Sequence, residues 1–476
     1  MRATHNRLHI LALAVAGSLL FAAPSLHAQQ GSGQGAGQPA PADVPQVESG
    51  APQNAPGPLG GAEAYRIPEG GGLGLGHSFV VPRFSLQEVY DTNTGFSSTT
   101  GASQGDAITT LQGGLNLQVQ KRNSTFSLDY SAAGLIYGLQ TQPNSVVQQF
   151  AATQKFTMRR WNFFLAENLS YLPNTQFGLS GLGYLTGGGT STLNPSFQTG
   201  STIGSMNAYQ LTNTTIAQAQ YMLDERSSLT VSGNLGILHY SGDGLLDSRS
   251  VTARVAYDRT LTARDTVNVS YAASVQSYSS GAQGFISHYI QPGYRRYVTG
   301  RLFVSVSAGP VINHFSPQPG QTTVQGSQNA VSLSVAGALD YAIRNGSIKA
   351  QYTRGTTGGS GVLVGSTTDQ LSGSFTRRFT RVWTVAINGS YARNSSFQQT
   401  QQPGMMSATS TFDYWNAGMS FSRPLGHYSS VRFSYNAQSQ TSNVTSCVNG
   451  VQCGPISLVQ VVGLSFNWST RPYKLD

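Results

Sequence analysis

Residues 267–276 read VNVSYAASVQ, and this short segment indicates the fold of the whole chain because its residue types alternate. The odd-numbered positions hold Val, Val, Tyr, Ala and Val, whereas the even-numbered positions hold Asn, Ser, Ala, Ser and Gln. A period of two residues places one set of side chains on each face of a β-strand. The segment therefore predicts a strand with one apolar face and one polar face that carries no charge.

The same alternation recurs along the chain, for example in residues 111–120, 126–132 and 457–468, where Gln460 is an exception. No stretch beyond the first 28 residues shows a comparable helical period. Counting these segments predicts about 18 antiparallel strands, with 16 as the alternative. Tight turns alternate with longer loops rich in Gly, Ser, Thr and Gln, which is typical of an up-and-down meander with both chain ends on the short-turn side.

The composition argues against a soluble protein. Only 10% of the 476 residues are charged, although 39% are hydrophobic and 55 are Gly, whereas soluble domains carry about a quarter charged residues. A soluble β-sandwich would also carry Lys and Glu on its polar faces. We therefore expect an all-β transmembrane barrel, with apolar side chains towards lipid and polar side chains lining the lumen. Aromatic residues near the predicted strand ends fit the two interfacial girdles of such a barrel.

The first 78 residues differ from the rest of the chain in composition and lack its alternating pattern. Arg2 and Arg7 precede an apolar run, and Ala28 follows it at a small-residue cleavage site, so residues 1–28 are predicted to be a secretory signal peptide. Residues 29–78 are rich in Gly, Pro and Gln and predict a disordered periplasmic linker. Residues 79–476 form the predicted barrel. The expected location is the cell outer membrane with the N-terminus periplasmic, and the expected partners are membrane lipid and the barrel assembly machinery.

The basic residues are segregated along the chain. The formal net charge is +9, yet the nine predicted long loops contain no Lys or Arg, and most basic residues lie at the predicted short turns. A nucleic-acid surface would interleave basic and aromatic residues, so we expect no nucleic-acid partner. The pattern predicts instead a basic rim at the short-turn end, among anionic lipid headgroups.

The start of the predicted barrel resembles a known family. Residues 74–86 read GLGHSFVVPRFSL and residues 89–93 read VYDTN, and this opening resembles the beta-barrel porin family linked to exopolysaccharide systems. That family has a short Gly-rich lead, a Pro and then a strand that ends in a Tyr-Asp-Asp-Asn-like motif. The resemblance implies an outer-membrane barrel with exopolysaccharide secretion components as partners, and it supplies no catalytic residues. Thr92 departs from the second Asp of the motif, which argues against a cation site there.

Few residues carry patterns that point to chemistry. Cys447 and Cys453 lie in one long loop of an exported chain, which predicts a loop-closing disulfide. No spacing of His, Cys, Asp or Glu predicts a metal or cofactor site. His239, His288 and His314 are predicted near the outer rim, with Asp91, Asp106 and Asp243 as acids that could lie close to them. A rim hydrolase would need a base paired with a second group; the sequence shows no such pair, so we expect no catalytic residues and no enzyme.

The better functional candidates are charged residues that the alternation assigns to the lumen. These are Glu88, Asp129, Arg254, Asp258, Asp340, Lys349 and Arg432. Rings of like charge make pores ion-selective, whereas these few residues carry both signs, which favours neutral polar solutes. For each residue the structural alternative is a cross-strand ion pair.

Three functions follow from the sequence. The first is a porin-like passive channel for small polar solutes, since barrels of 16–18 strands leave an aqueous channel. The second is a non-conducting accessory component of an exopolysaccharide secretion system, and the third is a rim hydrolase. The long uncharged loop at residues 173–206 follows the fifth predicted strand, and we expect it to fold into the lumen or to cap it.

Overall fold

The structure is a computed structural model, and it describes the greater part of the predicted barrel. The described residues are 78–94, 104–173, 203, 209–241, 245–279, 282–315, 329–359, 361–400, 408–444 and 454–475. The predicted signal peptide, the predicted linker apart from Ser78, both cysteines, Asp243 and nearly all of the loop 173–206 lie outside these residues. No helix among the described residues is long and apolar enough to cross a membrane.

Eighteen long strands and one short strand make up the described structure. The first nine are β1 (Phe79–Asp91), β2 (Asp106–Lys121), β3 (Ser124–Tyr137), β4 (Ser145–Thr157), β5 (Trp161–Pro173), β6 (Tyr209–Met222), β7 (Ser227–Tyr240), β8 (Ser248–Thr260) and β9 (Asp265–Tyr278). The others are β10 (Phe285–Thr299), β11 (Leu302–Phe315), β12 (Asn329–Ile343), β13 (Gly346–Thr357), β14 (Ser366–Arg378), β15 (Thr384–Thr400), β16 (Ala408–Pro424), β17 (Ser429–Ser442), β18 (Ile456–Ser469) and β19 (Tyr473–Lys474).

The long strands form one closed antiparallel barrel. Each strand from β1 to β18 pairs with its neighbours in the sequence, and β1 pairs in turn with β18, where Arg83 lies opposite Ser469 and Asp91 opposite Val461. The all-β up-and-down barrel with 18 strands is thereby confirmed, and the alternative of 16 is wrong. The two-residue β19, which the sequence analysis did not predict, pairs with Phe79 and Val80 at the short-turn end of β1.

The two faces of each strand differ as the alternation predicts. In β18, Leu464, Phe466 and Trp468 are exposed on the outside of the barrel, and Leu464 is 56% exposed. Gly463 and Asn467 face the interior and are buried. An apolar face that is exposed while a polar face is buried reverses the arrangement of a soluble protein, and it is the arrangement of a transmembrane barrel.

The short turns follow ordinary hairpin chemistry. Arg344 and Asn345 form the two-residue loop between β12 and β13. Asn345 has a positive φ of 64°, a conformation that Asn adopts more readily than most residues. A Cβ atom at Gly346 would lie 2.1 Å from the carbonyl oxygen of Thr376 on β14. A larger residue at position 346 would therefore displace β14, so the turn requires glycine there.

Candidate functional site

The candidate site is the lumen, and amide and hydroxyl side chains line much of it. Near the long-loop end, Ser287 donates a hydrogen bond of 2.5 Å to the side-chain oxygen of Asn313, and both residues are fully buried. Thr368 donates to Asn394 at 2.7 Å in the same way. Such pairs satisfy polar groups that would be costly to bury alone, so this half of the lumen is a hydrogen-bonded interior.

An ion pair crosses the inner wall between β1 and β3. The Arg83 guanidinium donates two hydrogen bonds to the Asp129 carboxylate, one of them 2.8 Å long from Nη1 to Oδ2. The side chains are 6% and 18% exposed. The pair passes over Gly114 of β2, where a Cβ atom would lie 2.6 Å from Arg83 Nε. Glycine on the intervening strand therefore lets the arginine reach its partner two strands away.

A second cluster of charges faces inward on β8 and β10. Arg295 Nη2 lies 2.5 Å from Asp258 Oδ1, which again joins two strands across an intervening one. Arg254 lies on the same face of β8, four residues before Asp258, and it is buried. Asp129, Arg254 and Asp258, which the sequence assigns to the lumen, belong to the inward files of β3 and β8.

The remaining inward charges lie where the lumen is open to solvent. Asp340 and Lys349 are direct cross-strand neighbours on β12 and β13, with Nζ 4.0 Å from Oδ1. Although both face inward, the Asp340 side chain is 42% exposed and that of Lys349 is 52% exposed. Arg432 also faces inward, opposite Ser422 and Ser465. Since Asp340 and Lys349 lie three residues from the turn between β12 and β13, the mouth of the lumen at the short-turn end is open to water.

The expectation for Glu88 is wrong. On β1 the buried, inward residues are Val81, Arg83, Ser85, Gln87, Val89 and Asp91. Glu88 lies in the exposed file with Leu86 and Tyr90, and its carboxylate accepts a hydrogen bond of 2.7 Å from Thr109 Oγ1. The alternation was read in the wrong register here, because the odd spacing of Glu88 from the inward Ser85 and Gln87 places it outside.

An apolar segment lies inside the long-loop end of the lumen. Residues 358–365, of which 360 is not described, connect β13 to β14 and fold inward; we call this segment the lumen plug. Val362 and Leu363 are at most 5% exposed. They belong to one buried cluster that comprises Ile203, Leu238, Tyr240, Leu245, Val362, Leu363 and Phe412. Because β7 and β16 lie on opposite sides of an 18-strand barrel, a cluster that joins Tyr240 to Phe412 spans the lumen.

Glycines shape the lumen plug. Gly359, Gly361 and Gly365 have φ values of 79°, 76° and 72°, a backbone region that other residues rarely adopt. A Cβ atom at Gly361 would lie 2.3 Å from the Tyr240 ring. The carbonyl of Gly361 also accepts a 2.9 Å hydrogen bond from the backbone of Leu246. The plug is therefore held by specific contacts with the loop between β7 and β8.

The three rim histidines face outward, away from the lumen. His239 Nδ1 lies 2.7 Å from Asp247 Oδ2, His288 Nδ1 lies 2.8 Å from the Tyr271 hydroxyl, and His314 Nδ1 lies 2.5 Å from Asn329 Oδ1. Asp91 and Asp106 face inward and bind the backbone instead, for example the Asn93 and Leu139 N–H groups. The barrel wall thus separates these acids from the histidines, and Asp243 lies outside the described residues.

The Tyr-Asp-Thr-Asn segment of the resemblance lies at the seam of the barrel. The Thr92 N–H donates to the Gln460 carbonyl at 3.0 Å, and the Gln460 N–H donates to Thr92 Oγ1 at 2.9 Å. Asn93 is fully buried and donates to Ser457 at 3.0 Å. The segment therefore fastens β1 to β18. In the part of the chain that the structure describes, no group of three or more His, Cys, Asp or Glu residues could hold a metal ion.

The two kinds of inward ion pair should differ in their effect on stability. Arg83→Met removes one partner of a buried pair and should cost about 3–5 kcal/mol, because it leaves the Asp129 charge buried without compensation. Lys349→Met removes one partner of an exposed pair and should cost at most about 1 kcal/mol. Urea titration of the two variants folded into lipid vesicles measures both values, and equal costs would contradict the difference in solvation described above.

Comparisons with known proteins find similarity in structure only. No described protein family matches the chain, and no curated protein matches its sequence. The resemblance of residues 74–93 to the exopolysaccharide-linked porin family therefore remains a resemblance.

Three solved structures align with most of this chain at low sequence identity and with TM-scores of about 0.4. Pseudomonas aeruginosa OccK2 (OpdF) in complex with glucuronate has 9% sequence identity and a TM-score of 0.41, and the match covers 84% of this chain and 100% of that one. Pseudomonas aeruginosa opdK has 9% identity and a TM-score of 0.40, with 83% and 99% covered. Acinetobacter baumannii OccAB4 has 8% identity and a TM-score of 0.42, also with 83% and 99% covered.

Proposed function

We propose that this protein is a porin-like passive channel for small polar solutes in the outer membrane, narrowed at one end by the lumen plug. The observation that carries the proposal is the half-exposed, inward-facing pair Asp340–Lys349, because charged side chains reach water there from inside the barrel wall. Inward charges of both signs lie close together along the described lumen, as in Arg83–Asp129 and Arg295–Asp258. Without a ring of like charge among the described residues, strong ion selectivity is not expected.

Conductance tests this function directly. Full-length protein in planar bilayers should pass single-channel current, and uncharged sugars of increasing size in the bath should reduce that current until they no longer enter. Arg432→Glu replaces an inward cation by an anion and should shift the reversal potential in a salt gradient towards cations. A matched change on the outer face, Arg249→Glu, should leave the reversal potential unchanged. A wild-type barrel that is folded and never conducts would overturn the proposal.

The orientation that we propose places the N-terminus and the short turns in the periplasm and the long loops outside the cell. The support is the distribution of Lys and Arg, which avoids the long loops and is typical of a periplasmic rim. A cysteine introduced at Ser191 in a long loop should react with a membrane-impermeant thiol reagent on intact cells. One introduced at Asn123, in the turn between β2 and β3, should not. If the cysteine at position 123 reacted and the one at position 191 did not, the orientation would be the reverse of the one proposed.

One observation favours a second function. The lumen plug narrows the long-loop end by apolar contacts, which would also suit a barrel that does not conduct. Together with the N-terminal resemblance, it supports a non-conducting accessory role in an exopolysaccharide secretion system. Co-purification of secretion components with a barrel that passes no current, with or without its plug, would favour this second function.

A further inference from the structure

A row of four alternating charges crosses the outside of the barrel on β13–β16. Arg354, Asp369, Arg393 and Asp413 lie directly opposite one another on consecutive strands. Within the row, Arg354 Nη1 lies 3.1 Å from Asp369 Oδ1, and Arg393 Nε lies 3.9 Å from Asp413 Oδ1. All four belong to the outward files of their strands. Arg354 and Asp369 lie three residues from the long-loop ends of β13 and β14. The row is therefore close to the rim of the barrel, where charged side chains on the outer face cost little and are available for contact with a second protein.

The rows beneath the charges continue the same face. The next outward row towards the short-turn end consists of Tyr352, Leu371, Tyr391 and Trp415, all of them exposed. The row below that consists of Ala350, Gly373, Gly389 and Ala417. A Cβ atom at either glycine would meet nothing closer than 3.8 Å, so crowding within the barrel does not require glycine at these positions. Small residues on a membrane-facing surface let a second backbone approach closely.

From these rows we propose that β14 and β15 form the centre of an interface with a second copy of this chain. An isologous interface needs a surface that is complementary to itself under a two-fold axis. An axis parallel to the membrane normal, passing between β14 and β15, brings Asp369 of one copy opposite Arg393 of the other, twice. Opposite charges meet at both positions, Leu371 meets the partner's Tyr391, and Gly373 meets the partner's Gly389.

The curvature of the two barrels confines the contact to this centre. Two convex walls approach most closely at β14 and β15 and diverge on either side. Because the strands of a barrel are tilted, the charged rows of the two copies also cross each other instead of running parallel. Arg354 and Asp413 at the ends of the row therefore hold the central charges in place within each copy, and the central Asp369 and Arg393 make the contact between copies.

Charge complementarity favours a second copy over an anionic lipid. A lipid phosphate would be attracted by Arg354 and Arg393 and repelled by Asp369, which lies between them. The alternation of sign weakens the attraction of the row for a phosphate. The same alternation places opposite charges face to face when the row meets the row of a second copy related by the two-fold axis. The occupant of this face is therefore another barrel, and the apolar rows below it exclude lipid from the contact.

Reciprocal charge reversal tests the interface on the full-length protein. Asp369→Arg alone places Arg opposite Arg at both central positions, and Arg393→Asp alone places Asp opposite Asp. Each variant should lose self-association, with an apparent dissociation constant at least about tenfold higher than that of the wild type. Differently tagged copies of the two variants, expressed together, should associate with each other, because every central pair is then again Arg opposite Asp.

Three measurements decide the result. Sedimentation in detergent and in nanodiscs should show a wild-type dimer, pull-down with one tag should recover the other only for the mixed variants, and heat-modifiable migration should show that each variant is folded. Arg249→Asp, on the outer face of β8 and away from the interface, is the matched control and should leave the dimer intact. The interface is overturned by a monomeric wild type, by single variants that still dimerise, or by folded variants that fail to associate when mixed. Binding of anionic lipid that both single variants reduce, without any dimer, would assign the face to lipid instead.

Discussion

Leu464→Arg should lower the free energy of unfolding of the barrel in a bilayer by about 2–4 kcal/mol near the midplane, and Ser465→Arg should lower it by at most about 1 kcal/mol, through repulsion by Arg432 on the neighbouring strand. The two residues are neighbours on β18, and both variants introduce the same residue type into the same strand. They differ in the face that they occupy. Leu464 is exposed to acyl chains on the outside, whereas Ser465 lies opposite Arg432 and Gln87 on the inside.

The physical reason is the solvent that each new guanidinium meets. At position 464 the charge must remain in hydrocarbon or pull water and headgroups towards itself, whereas at position 465 it points into the lumen. Refolding titrations of both variants in urea, into vesicles of one lipid, measure the difference directly. A penalty at 465 as large as that at 464 would mean that the lumen near β18 is dry and packed.

Removal of the lumen plug should raise the single-channel conductance by about tenfold or more, since hydrophobic constrictions close pores by excluding water. The variant deletes residues 359–364 and joins Gly358 to Gly365, so that the Thr357–Ser366 end of the β13–β14 pairing is retained. Val362 and Leu363, which contribute to the cluster that spans the lumen, are then absent. Because the strand pairing is unaffected, the variant should still fold and insert.

Leu363→Met is the matched control for the deletion. Methionine keeps the apolar character and nearly the volume of leucine, so the plug should remain closed and the conductance low. Uptake of a polar antibiotic by cells that carry each variant gives a second readout of the same opening. A deletion variant that is folded and conducts no better than the wild type would show that the plug is not what limits passage.

The sequence was sufficient for the wall of the barrel and insufficient for its interior. Alternation is a local property, so residues such as Leu464 and Ser465 could be assigned to opposite faces without knowledge of any partner. The strand count followed in the same way from the spacing of turns, including the one at residues 344–346. The error at Glu88 was one of register, since Glu88 shares the exposed file of Leu86 and Tyr90.

Features that depend on distant parts of the chain could not be predicted. Arg83 reaches Asp129 across an intervening strand, and this contact requires both the register of three strands and a glycine at position 114. Arg295 reaches Asp258 across β9 in the same way, and this contact depends on the register of β8, β9 and β10. The lumen plug reads in sequence as an ordinary Gly-rich loop, and only its packing against Tyr240 and Phe412 shows that it lies inside the barrel.

The seam between β1 and β18 has a consequence for the order in which the protein folds. Every other pair of long strands is joined by a single connection, whereas Thr92 and Gln460, which fasten the seam, are 368 residues apart in the chain. Contacts between residues so distant in sequence make folding slow. Until β18 is in place, the growing sheet has two unpaired edges, which invite pairing with other chains. The first strand therefore stays unpaired on one side until the last long strand has been made. A chain that lacks Ile456–Ser469 should accumulate as an open, aggregation-prone sheet even if its hairpins form normally.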